Sequence, residues 1–285
     1  MSAVTYAQTL KPAAVETPLD LGFFRPAAWR AVQLALPTRM TANQMTGLSI
    51  VAGLAGAALL ASPRRDAMAL SAIFSVLYGV LDCADGQLAR ARGTSSRLGR
   101  VLDGMSDYIV GSASGVAISL HLGGLYGPWG YAFGAGGFFS VMLQGTLFDH
   151  FKNRYLTRAA SRYREGDDLA ETLDDLEALR ASGGAPFSVA LLRVYAVFLR
   201  VQSALGGARR EAPLDPARAE RYATLLRPVA RGWAWLGPST HVFVMGLALL
   251  SDALAPYVAL RLTLGNVAML GLLLAQRARE REVAR

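Results

Sequence analysis

The chain has 285 residues, of which 53% are hydrophobic and only 18% are charged, and its formal net charge is +8. Soluble domains contain about 25% charged residues, so this composition excludes an ordinary soluble protein and indicates a membrane protein. The basic residues lie between apolar segments instead of forming one patch, so the charge gives no support to a nucleic-acid-binding protein.

The N-terminal segment, residues 1–43, is predicted to lie on the cytoplasmic side of the membrane. Its first twenty residues contain no apolar run typical of a signal peptide, so we expect none to be cleaved. The stretch LGFFRPAAWRAVQLAL combines Phe, Trp and Leu with arginines, which is typical of an amphipathic helix lying in the membrane interface.

Six mostly apolar segments follow, each long enough to cross a hydrocarbon core of about 30 Å as a helix. They cover residues 44–62, 67–89, 98–122, 128–149, 232–252 and 254–276. We therefore predict an all-α integral membrane protein with six transmembrane helices. Its six-span domain covers residues 44–277, and a short cytoplasmic tail covers residues 278–285.

The longest polar segment, residues 150–231, separates the fourth span from the fifth and is predicted to be a helical cytoplasmic insertion. It includes FSVALLRVYAVFLRVQSAL, which has the length of a span. In that stretch Arg193 and Arg200 are seven residues apart and share a helix face. Because arginine is costly in lipid, we interpret this stretch as an amphipathic helix at the interface or facing the cytosol.

The positions of Lys and Arg predict the orientation of the chain. With six spans, 26 of the 29 basic residues fall on one side, which is therefore the cytoplasmic side. The joint between the second and third spans lies on that side. In the third span, Gly111 and Gly115 are one turn apart. Such small residues favour close helix packing, either within the chain or in a homodimer.

Four aspartates lie where the second span meets the third, in VLDCADGQLARARGTSSRLGRVLDGMSD: Asp82, Asp85, Asp103 and Asp107. Helical spacing puts the first two on one face of the second span. Two small residues and one arginine share that face: Gly86, Ala89 and Arg90. The last two aspartates follow Gly99 at intervals of four residues, so they also share a face.

Four carboxylates brought together repel one another, so this arrangement indicates bound cations. Hard divalent cations take oxygen ligands, and two such ions about 3.5 to 4 Å apart can stabilise a phosphoryl displacement. Gly86 and Ala89 leave room for a ligand against the helix, and the guanidinium of Arg90 suits phosphate oxygens. The alternative is a set of solvated charges in a cytoplasmic turn.

The spacing of these residues resembles the signature of the CDP-alcohol phosphotransferases, also called CDP-alcohol phosphatidyltransferases. That signature is D-x-x-D-G-x-x-A-R, then eight residues, then G-x-x-x-D-x-x-x-D. Every position is matched, by Asp82, Asp85, Gly86, Ala89, Arg90, Gly99, Asp103 and Asp107. The resemblance covers residues 40–150 and 230–277 and is specific only in the second and third spans.

The resemblance implies an enzyme that moves a substituted phosphate from a CDP-alcohol, such as CDP-diacylglycerol, to a second alcohol and releases CMP. It implies two Mg²⁺ or Mn²⁺ ions held by Asp82, Asp85 and Asp103, with Asp107 as a further ligand and the general base. It also implies a CDP-alcohol site at the cytoplasmic face, formed by Asn43, Thr46, Gly86, Ala89, Arg90, Ser96 and Gly99.

The acceptor alcohol is left open. Four cations at the cytoplasmic ends of the fourth and fifth spans could bind an acceptor phosphate: Lys152, Arg154, Arg227 and Arg231. They would then favour a phosphorylated polyol such as glycerol phosphate or inositol phosphate. Ordinary membrane anchoring by these cations, with serine, inositol or an amino alcohol as acceptor, is the alternative.

A transporter or a non-catalytic polytopic protein is the alternative of a different class. Besides substrates we expect membrane lipids, and no nucleic acid, as partners.

Overall fold

The computed structural model describes residues 4–62, 64–94, 97–159, 169–183, 185–206 and 214–284. Throughout these ranges the regular elements are helices and no strand is present, so the predicted all-α class is confirmed. The α-helices are α1 (Arg25–Ala35), α2 (Ala42–Leu60), α3 (Arg65–Arg92), α4 (Arg97–Tyr126), α5 (Pro128–Ala159), α6 (Leu169–Ala181), α7 (Pro186–Gly206), α8 (Pro216–Ala234), α9 (Pro238–Leu250), α10 (Leu254–Leu260) and α11 (Asn266–Ala284).

Three short helical turns complete the described elements. A 3₁₀ turn, Tyr6–Thr9, and a π-helical turn, Asp20–Phe24, precede α1. A second π-helical turn, Arg261–Gly265, joins α10 to α11. Such π-turns inside helices are rare and frequently occur at functional sites.

Five segments of the described chain are long and apolar enough to cross a membrane, which indicates a multi-pass integral membrane protein. They are Ala42–Leu60, Arg65–Arg92, Val101–Tyr126, Pro216–Leu250 and Leu254–Val283. These segments overlap five of the six predicted spans.

The remaining predicted span, residues 128–149, lies within the continuous helix α5 but is not among those five segments. Its five glycines between residues 130 and 145, together with Gln144, lower the mean hydropathy of this stretch. The six-span topology therefore stays a prediction.

The fifth predicted span, residues 232–252, overlaps the segment Pro216–Leu250, and the helix is interrupted within it. Helix α8 ends at Ala234, Gly237 has an extended backbone (φ −74°, ψ 172°), and α9 begins at Pro238. Proline lacks the backbone N–H that a continuing helix needs, so it starts a helix more readily than it extends one. The 13 residues of α9 rise only about 20 Å.

The chain divides into two compact units, of which the first comprises residues 1–145 and 235–270. Its apolar core includes Leu60 of α2, Leu122 of α4, and Tyr257 and Val258 of α10. Small residues let these helices approach closely, because a Cβ atom on Gly53 of α2 would lie only 2.4 Å from Cγ1 of Val110.

This close approach predicts that Gly53→Ala destabilises the first unit. The added methyl group must displace a branched, buried side chain, and such overpacking costs about 1–3 kcal/mol. Gly47→Ala on the same helix is the matched control, since nothing lies within 4 Å of its added Cβ. In detergent micelles, Gly53→Ala should melt at a lower temperature than Gly47→Ala. Equal melting temperatures for the two variants would contradict the observed packing.

The predicted interfacial helix corresponds to the π-turn and α1, and one of its faces is buried in the first unit. Phe24 and Val32 have no exposed surface, and Phe24 packs against Gly79 of α3. Arg25, one of the arginines in this stretch, forms a buried ion pair with Glu16 at 2.9 Å. Leu34, on another face of α1, is 77% exposed. Contact of this exposed face with lipid stays a prediction.

The glycines Gly111 and Gly115 of α4 pack within the chain. A Cβ atom on Gly115 would lie 2.2 Å from the ring of Phe138, and one on Gly111 would lie 2.8 Å from the terminal methyl of Met142. Both contacts are with α5, so close packing inside one chain accounts for the two small residues.

The second unit comprises residues 146–234 and 271–285 and has an aromatic centre. The rings of Phe151 and Trp233 stack with their centroids 4.9 Å apart. Tyr155 packs against Tyr222, and the guanidinium of Arg158 lies 5.2 Å from the Tyr222 ring centre. Such aromatic and cation–π contacts hold the end of α5 against α8.

Helix α7 in this unit has one packed side and one exposed side, and the exposed side carries valines as well as the two arginines. Arg193 and Arg200 are exposed, whereas Leu192 and Leu199 are buried. The two arginines therefore lie away from the packed face of the helix, and their predicted place at the membrane interface or in the cytosol stays a prediction.

Candidate active site

The aspartate-bearing end of α3 is closed by Gly93, whose backbone lies in the left-handed region (φ 63°, ψ 27°). The N–H of Gly93 donates to the carbonyl of Arg90, and the N–H of Thr94 donates to the carbonyl of Ala89. Glycine adopts this conformation at little cost, so the sequence ends the helix here. Helix α4 then begins at Arg97, a few residues along the chain.

Three of the predicted ligands form a carboxylate cluster made of Asp82 and Asp85 from α3 and Asp103 from α4. One carboxylate oxygen of each residue lies within 4.8 Å of the other two. Asp85 is only 3% exposed. Three negative charges at this separation repel one another strongly where water is scarce, so a cation stabilises the arrangement.

Hydroxyl groups orient the carboxylates of α3. The Thr46 hydroxyl donates to Oδ2 of Asp85 at 2.5 Å. The Ser106 hydroxyl lies 3.1 Å from Oδ1 of Asp82 and 2.8 Å from the backbone carbonyl oxygen of Asp103, and its single proton serves one of them at a time. These bonds hold the side chains in place while leaving other carboxylate oxygens for a ligand.

Asp107 lies outside this cluster of three, and its carboxylate is held by a buried tyrosine. The hydroxyl of Tyr78 on α3 donates to Oδ1 of Asp107 on α4 at 2.5 Å. Tyr78 itself is only 5% exposed. The carboxylate of Asp107 is thus oriented by a side chain of α3.

The residues present fit a divalent cation. Oδ1 of Asp85 is buried and has no hydrogen-bond partner among the residues that the structure describes. A buried carboxylate oxygen without a partner costs free energy, and a metal ion would remove that cost. Because the donor set consists of carboxylate oxygens alone, it suits hard ions such as Mg²⁺ or Mn²⁺.

The next turn of α3, which carries Gly86 and Arg90, is covered by the N-terminal segment. Nε of Arg90 donates to the carbonyl of Thr9 at 2.7 Å, and the amide of Gln87 lies 3.3 Å from the Thr9 hydroxyl. The atoms nearest to a Cβ atom placed on Gly86 belong to the guanidinium of Arg90, at 3.4–3.8 Å. The helix surface at Gly86 is therefore bordered by a side chain that the N-terminal segment holds in place.

Arg92, at the end of α3, positions the start of α2. Its guanidinium donates to the carbonyls of Ala35 (3.0 Å) and Thr38 (2.9 Å) and also to that of Met40. Helix α2 then starts with a capping box, in which the Thr41 hydroxyl accepts from the N–H of Gln44. These contacts fix the first turns of α2, and with them the Thr46 that binds Asp85.

Several functional candidates were missed by the sequence analysis. Tyr78 precedes Asp82 by four residues and Ser106 follows Asp103 by three, so helical spacing could have placed both beside the aspartates. Thr9 lies 81 residues from Arg90 along the chain and carries no local signal.

The other predicted nucleotide-binding residues are placed as follows. Asn43 is exposed in the first turn of α2, one turn before Thr46. Ala89 is half-buried on α3, and Gly99 is half-buried near the start of α4. Ser96 lies outside the described residues.

The four predicted acceptor cations all lie in the second unit. Lys152 already pairs with Asp149 at 2.9 Å, and Arg154 pairs with Glu280 at 3.2 Å. Burial raises the pKa of Tyr155, and the charges of Arg227 and Arg231 act in the opposite direction, so both arginines lie near that tyrosine. Their role toward an acceptor stays a prediction.

Residues 39–152 match the family model described as CDP-alcohol phosphatidyltransferase. The family that the signature resembles is therefore found over the segment that carries this signature. Among curated proteins no match to the chain was found. The matched residues contain the carboxylate cluster, Asp107, Arg90 and the Thr46 that binds Asp85. The chain is therefore an enzyme of a family that transfers substituted phosphate groups, which confirms the resemblance inferred from the signature.

Proposed function

We propose that this CDP-alcohol phosphatidyltransferase moves a phosphatidyl-type group from a CDP-alcohol, CDP-diacylglycerol in the first instance, to an acceptor alcohol and releases CMP. The carboxylate cluster carries the proposal, because three aspartates of the signature meet within 4.8 Å inside the matched segment. An oxygen-only cluster of this kind is suited to phosphate chemistry assisted by divalent cations.

In this proposal two Mg²⁺ or Mn²⁺ ions are held by Asp82, Asp85, Asp103 and Asp107. When bound, the ions neutralise the pyrophosphate of the donor and the negative charge that develops on departing CMP. Thr46 and Ser106 keep the carboxylates of Asp85 and Asp82 oriented toward them.

Asp107 acts as the general base. It accepts the proton of the acceptor hydroxyl, whose oxygen forms a bond to the phosphorus next to the lipid alcohol. The bond between that phosphorus and the oxygen bridging to CMP breaks, so CMP leaves with the bonding electron pair. Tyr78 holds the Asp107 carboxylate in the orientation needed to receive the proton.

The CDP part of the donor is proposed to lie along α3 beyond the cluster. The lack of a side chain at Gly86 supports this position, since the guanidinium of Arg90 lies beside it and suits phosphate oxygens. The proposed contacts are Asn43, Thr46, Gly86, Ala89, Arg90, Ser96 and Gly99.

We further propose a six-span topology in which α5 supplies the span at residues 128–149. The distribution of Lys and Arg supports a cytoplasmic active site, because 26 of 29 basic residues then lie on that side. A homodimer is a further proposal, although the glycines of α4 are already used by packing within the chain.

For the acceptor we propose a phosphorylated polyol such as glycerol phosphate or inositol phosphate. Arg227 and Arg231 are exposed and lie one turn apart on α8, so both side chains are on the same side of the helix, as binding to one phosphate requires. Lys152 and Arg154 would have to leave Asp149 and Glu280 to take part. Serine, inositol or an amino alcohol remains the alternative acceptor.

The purified protein tests this proposal when it is incubated with CDP-diacylglycerol, Mg²⁺ or Mn²⁺, and each acceptor in turn. We expect CMP release that depends on the acceptor, and mass spectrometry should find a phospholipid carrying the acceptor. Glycerol phosphate or inositol phosphate should give more product than its unphosphorylated counterpart. Better use of an uncharged alcohol would overturn the acceptor proposal. A protein that released no CMP with any alcohol would favour a transporter or a non-catalytic membrane protein.

A further inference from the structure

The N-terminal segment places a short strap, residues 5–11, across the end of α3 that carries Arg90. The 3₁₀ turn Tyr6–Thr9 forms the centre of the strap, and Thr9 has no exposed surface. The carbonyl of Thr9 accepts from Nε of Arg90 at 2.7 Å, and the Thr9 hydroxyl accepts from the buried amide of Gln87 at 3.3 Å. The strap lies before the segment that matches the family model, and the proposed transfer reaction gives it no role.

The bond to Thr9 determines where the guanidinium of Arg90 lies. Its terminal nitrogens Nη1 and Nη2 are 3.4 and 3.5 Å from the position of a Cβ atom on Gly86. Arg90 therefore turns its Nε edge to the strap and its terminal nitrogens to the helix surface at Gly86. An arginine side chain has many rotamers, so a bond that holds one of them reduces the entropy lost when the guanidinium binds an anion.

Contacts on both sides of Thr9 hold the strap on the first unit. Before Thr9, the ring of Tyr6 lies 6.0 Å from the ring of Trp29 on α1. After the strap, Glu16 forms its buried ion pair with Arg25, and breaking such a pair is costly because each charge would stay buried alone. We therefore interpret the strap as a fixed part of the surface around Arg90 and not as a lid that opens.

The strap also lies close to the carboxylate cluster. Lys11, at the end of the strap, is half-buried and lies near enough to Asp85 for the two charges to interact. The strap thus borders both Arg90 and the cluster. In the proposed function the diphosphate of the CDP-alcohol lies between these two groups, because the cluster holds the metal ions and the guanidinium suits phosphate oxygens.

We propose that the strap is a positioning element of the donor site, in which Thr9 holds the guanidinium of Arg90 in the orientation that binds the diphosphate of the CDP-alcohol. This inference rests on the proposed function and adds the N-terminal segment to its binding site. Thr9 acts through Arg90, so the affinity for the donor depends on the strap more than the rate of the chemical step does. A strap that blocked the site would have the opposite effect, and loosening it would raise the affinity.

Thr9→Val loosens the strap in the full-length protein while keeping the shape of the side chain. It removes the hydroxyl that accepts from Gln87 and donates to the carbonyl of Tyr6 at 2.7 Å. The Kd of CDP-diacylglycerol, measured by equilibrium titration, and the KM for this donor should rise about two- to tenfold, as expected when one long side chain is no longer held. The kcat and the KM for the acceptor should change little. A lower Kd would show that the strap blocks the site, and an unchanged Kd would show that it only stabilises the fold. Either result overturns the proposal.

Thr263→Val is the matched control. It removes another hydroxyl of the first unit that donates to a backbone carbonyl, that of Ala259 at 2.8 Å, and it should leave the Kd of the donor unchanged. If Thr9→Val fails to fold, Gln87→Met takes its place, because it removes the amide that donates to the Thr9 hydroxyl, and it should also raise the Kd. An unchanged Kd in Gln87→Met would then overturn the proposal.

A double variant tests whether the strap acts through Arg90. In Arg90→Lys the guanidinium is gone, so adding Thr9→Val should change the Kd of the donor no further. If Thr9→Val weakened binding equally in both backgrounds, the strap would act by another route and the proposal would be wrong. A wild-type protein that neither bound CDP-diacylglycerol nor released CMP would refute the proposed function itself. Wild-type binding with no difference in Thr9→Val would refute only the role of the strap.

Discussion

Replacing Asp82, Asp85 or Asp103 by asparagine should lower the rate of transfer by about a thousandfold or more. One carboxylate oxygen of each residue lies within 4.8 Å of those of the other two residues. Asparagine removes the charge while keeping the shape of the side chain. The two carboxylates that remain would hold divalent cations more weakly. Because such ions supply several kcal/mol of transition-state stabilisation, the loss corresponds to a factor of about 10³. The measurement is CMP release from CDP-diacylglycerol with the preferred acceptor.

Asp66→Asn is the matched control for this series. Asp66 lies on the same helix, is exposed and pairs with Arg64 at 2.7 Å, so its loss should leave the transfer rate unchanged. Circular dichroism should show that all four variants retain their helices. EDTA should abolish the activity of the wild-type protein, and Mg²⁺ or Mn²⁺ should restore it. Full activity of Asp82→Asn, or of the wild-type protein in EDTA, would refute the metal-dependent mechanism.

Asp107→Asn should abolish most of the transfer activity while retaining much of the affinity for the CDP-lipid. The residue lies outside the cluster of three, and its carboxylate is oriented by Tyr78 instead. A general base typically contributes about 10²–10⁴-fold to the rate, so a loss in that range is expected. Binding of CDP-diacylglycerol should be measured separately, by thermal shift or equilibrium titration.

Tyr78→Phe separates orientation from proton transfer. This variant keeps the carboxylate of Asp107 and removes only the hydroxyl that donates to it at 2.5 Å. We expect a smaller fall, of about ten- to a hundredfold, in line with one bond to a charged group. If Asp107→Asn lowered binding and transfer in equal proportion, Asp107 would be only a ligand, and its role as base would be wrong.

The sequence by itself determined the helical class and most of the candidate site. Five of the six spans predicted from apolar segments overlap segments that the structure identifies as long and apolar enough to cross a membrane. This agreement is expected, because length and hydropathy are local properties of the sequence. The spacing of three and four residues predicted that Asp82 and Asp85 would share a face of α3. Such spacing is determined by the 3.6-residue period of the helix, whatever the helix packs against.

Two other features could not be predicted from the average composition of a segment. The break between α8 and α9 follows from Gly237 and Pro238, yet the apolar residues on both sides suggested a continuous span. Arg25 resembled an interfacial arginine by composition, but its partner Glu16 draws it into a buried ion pair. In both places hydropathy averages over a window and hides the effect of one or two residues.

Only the tertiary structure decided which distant groups meet. The hydrogen bond that Arg90 donates to the carbonyl of Thr9 joins residues 81 positions apart, and the hydroxyl of Tyr78 donates to Asp107 from a different helix. Lys152 and Arg154 proved to have carboxylate partners, one of them more than a hundred residues away along the chain. Only the structure shows that Nε and Nη2 of Arg261 are buried and have no hydrogen-bond partner among the described residues. Helical periodicity specifies neighbours within one helix, whereas contacts between helices depend on how all the side chains pack together, and no local pattern encodes that packing.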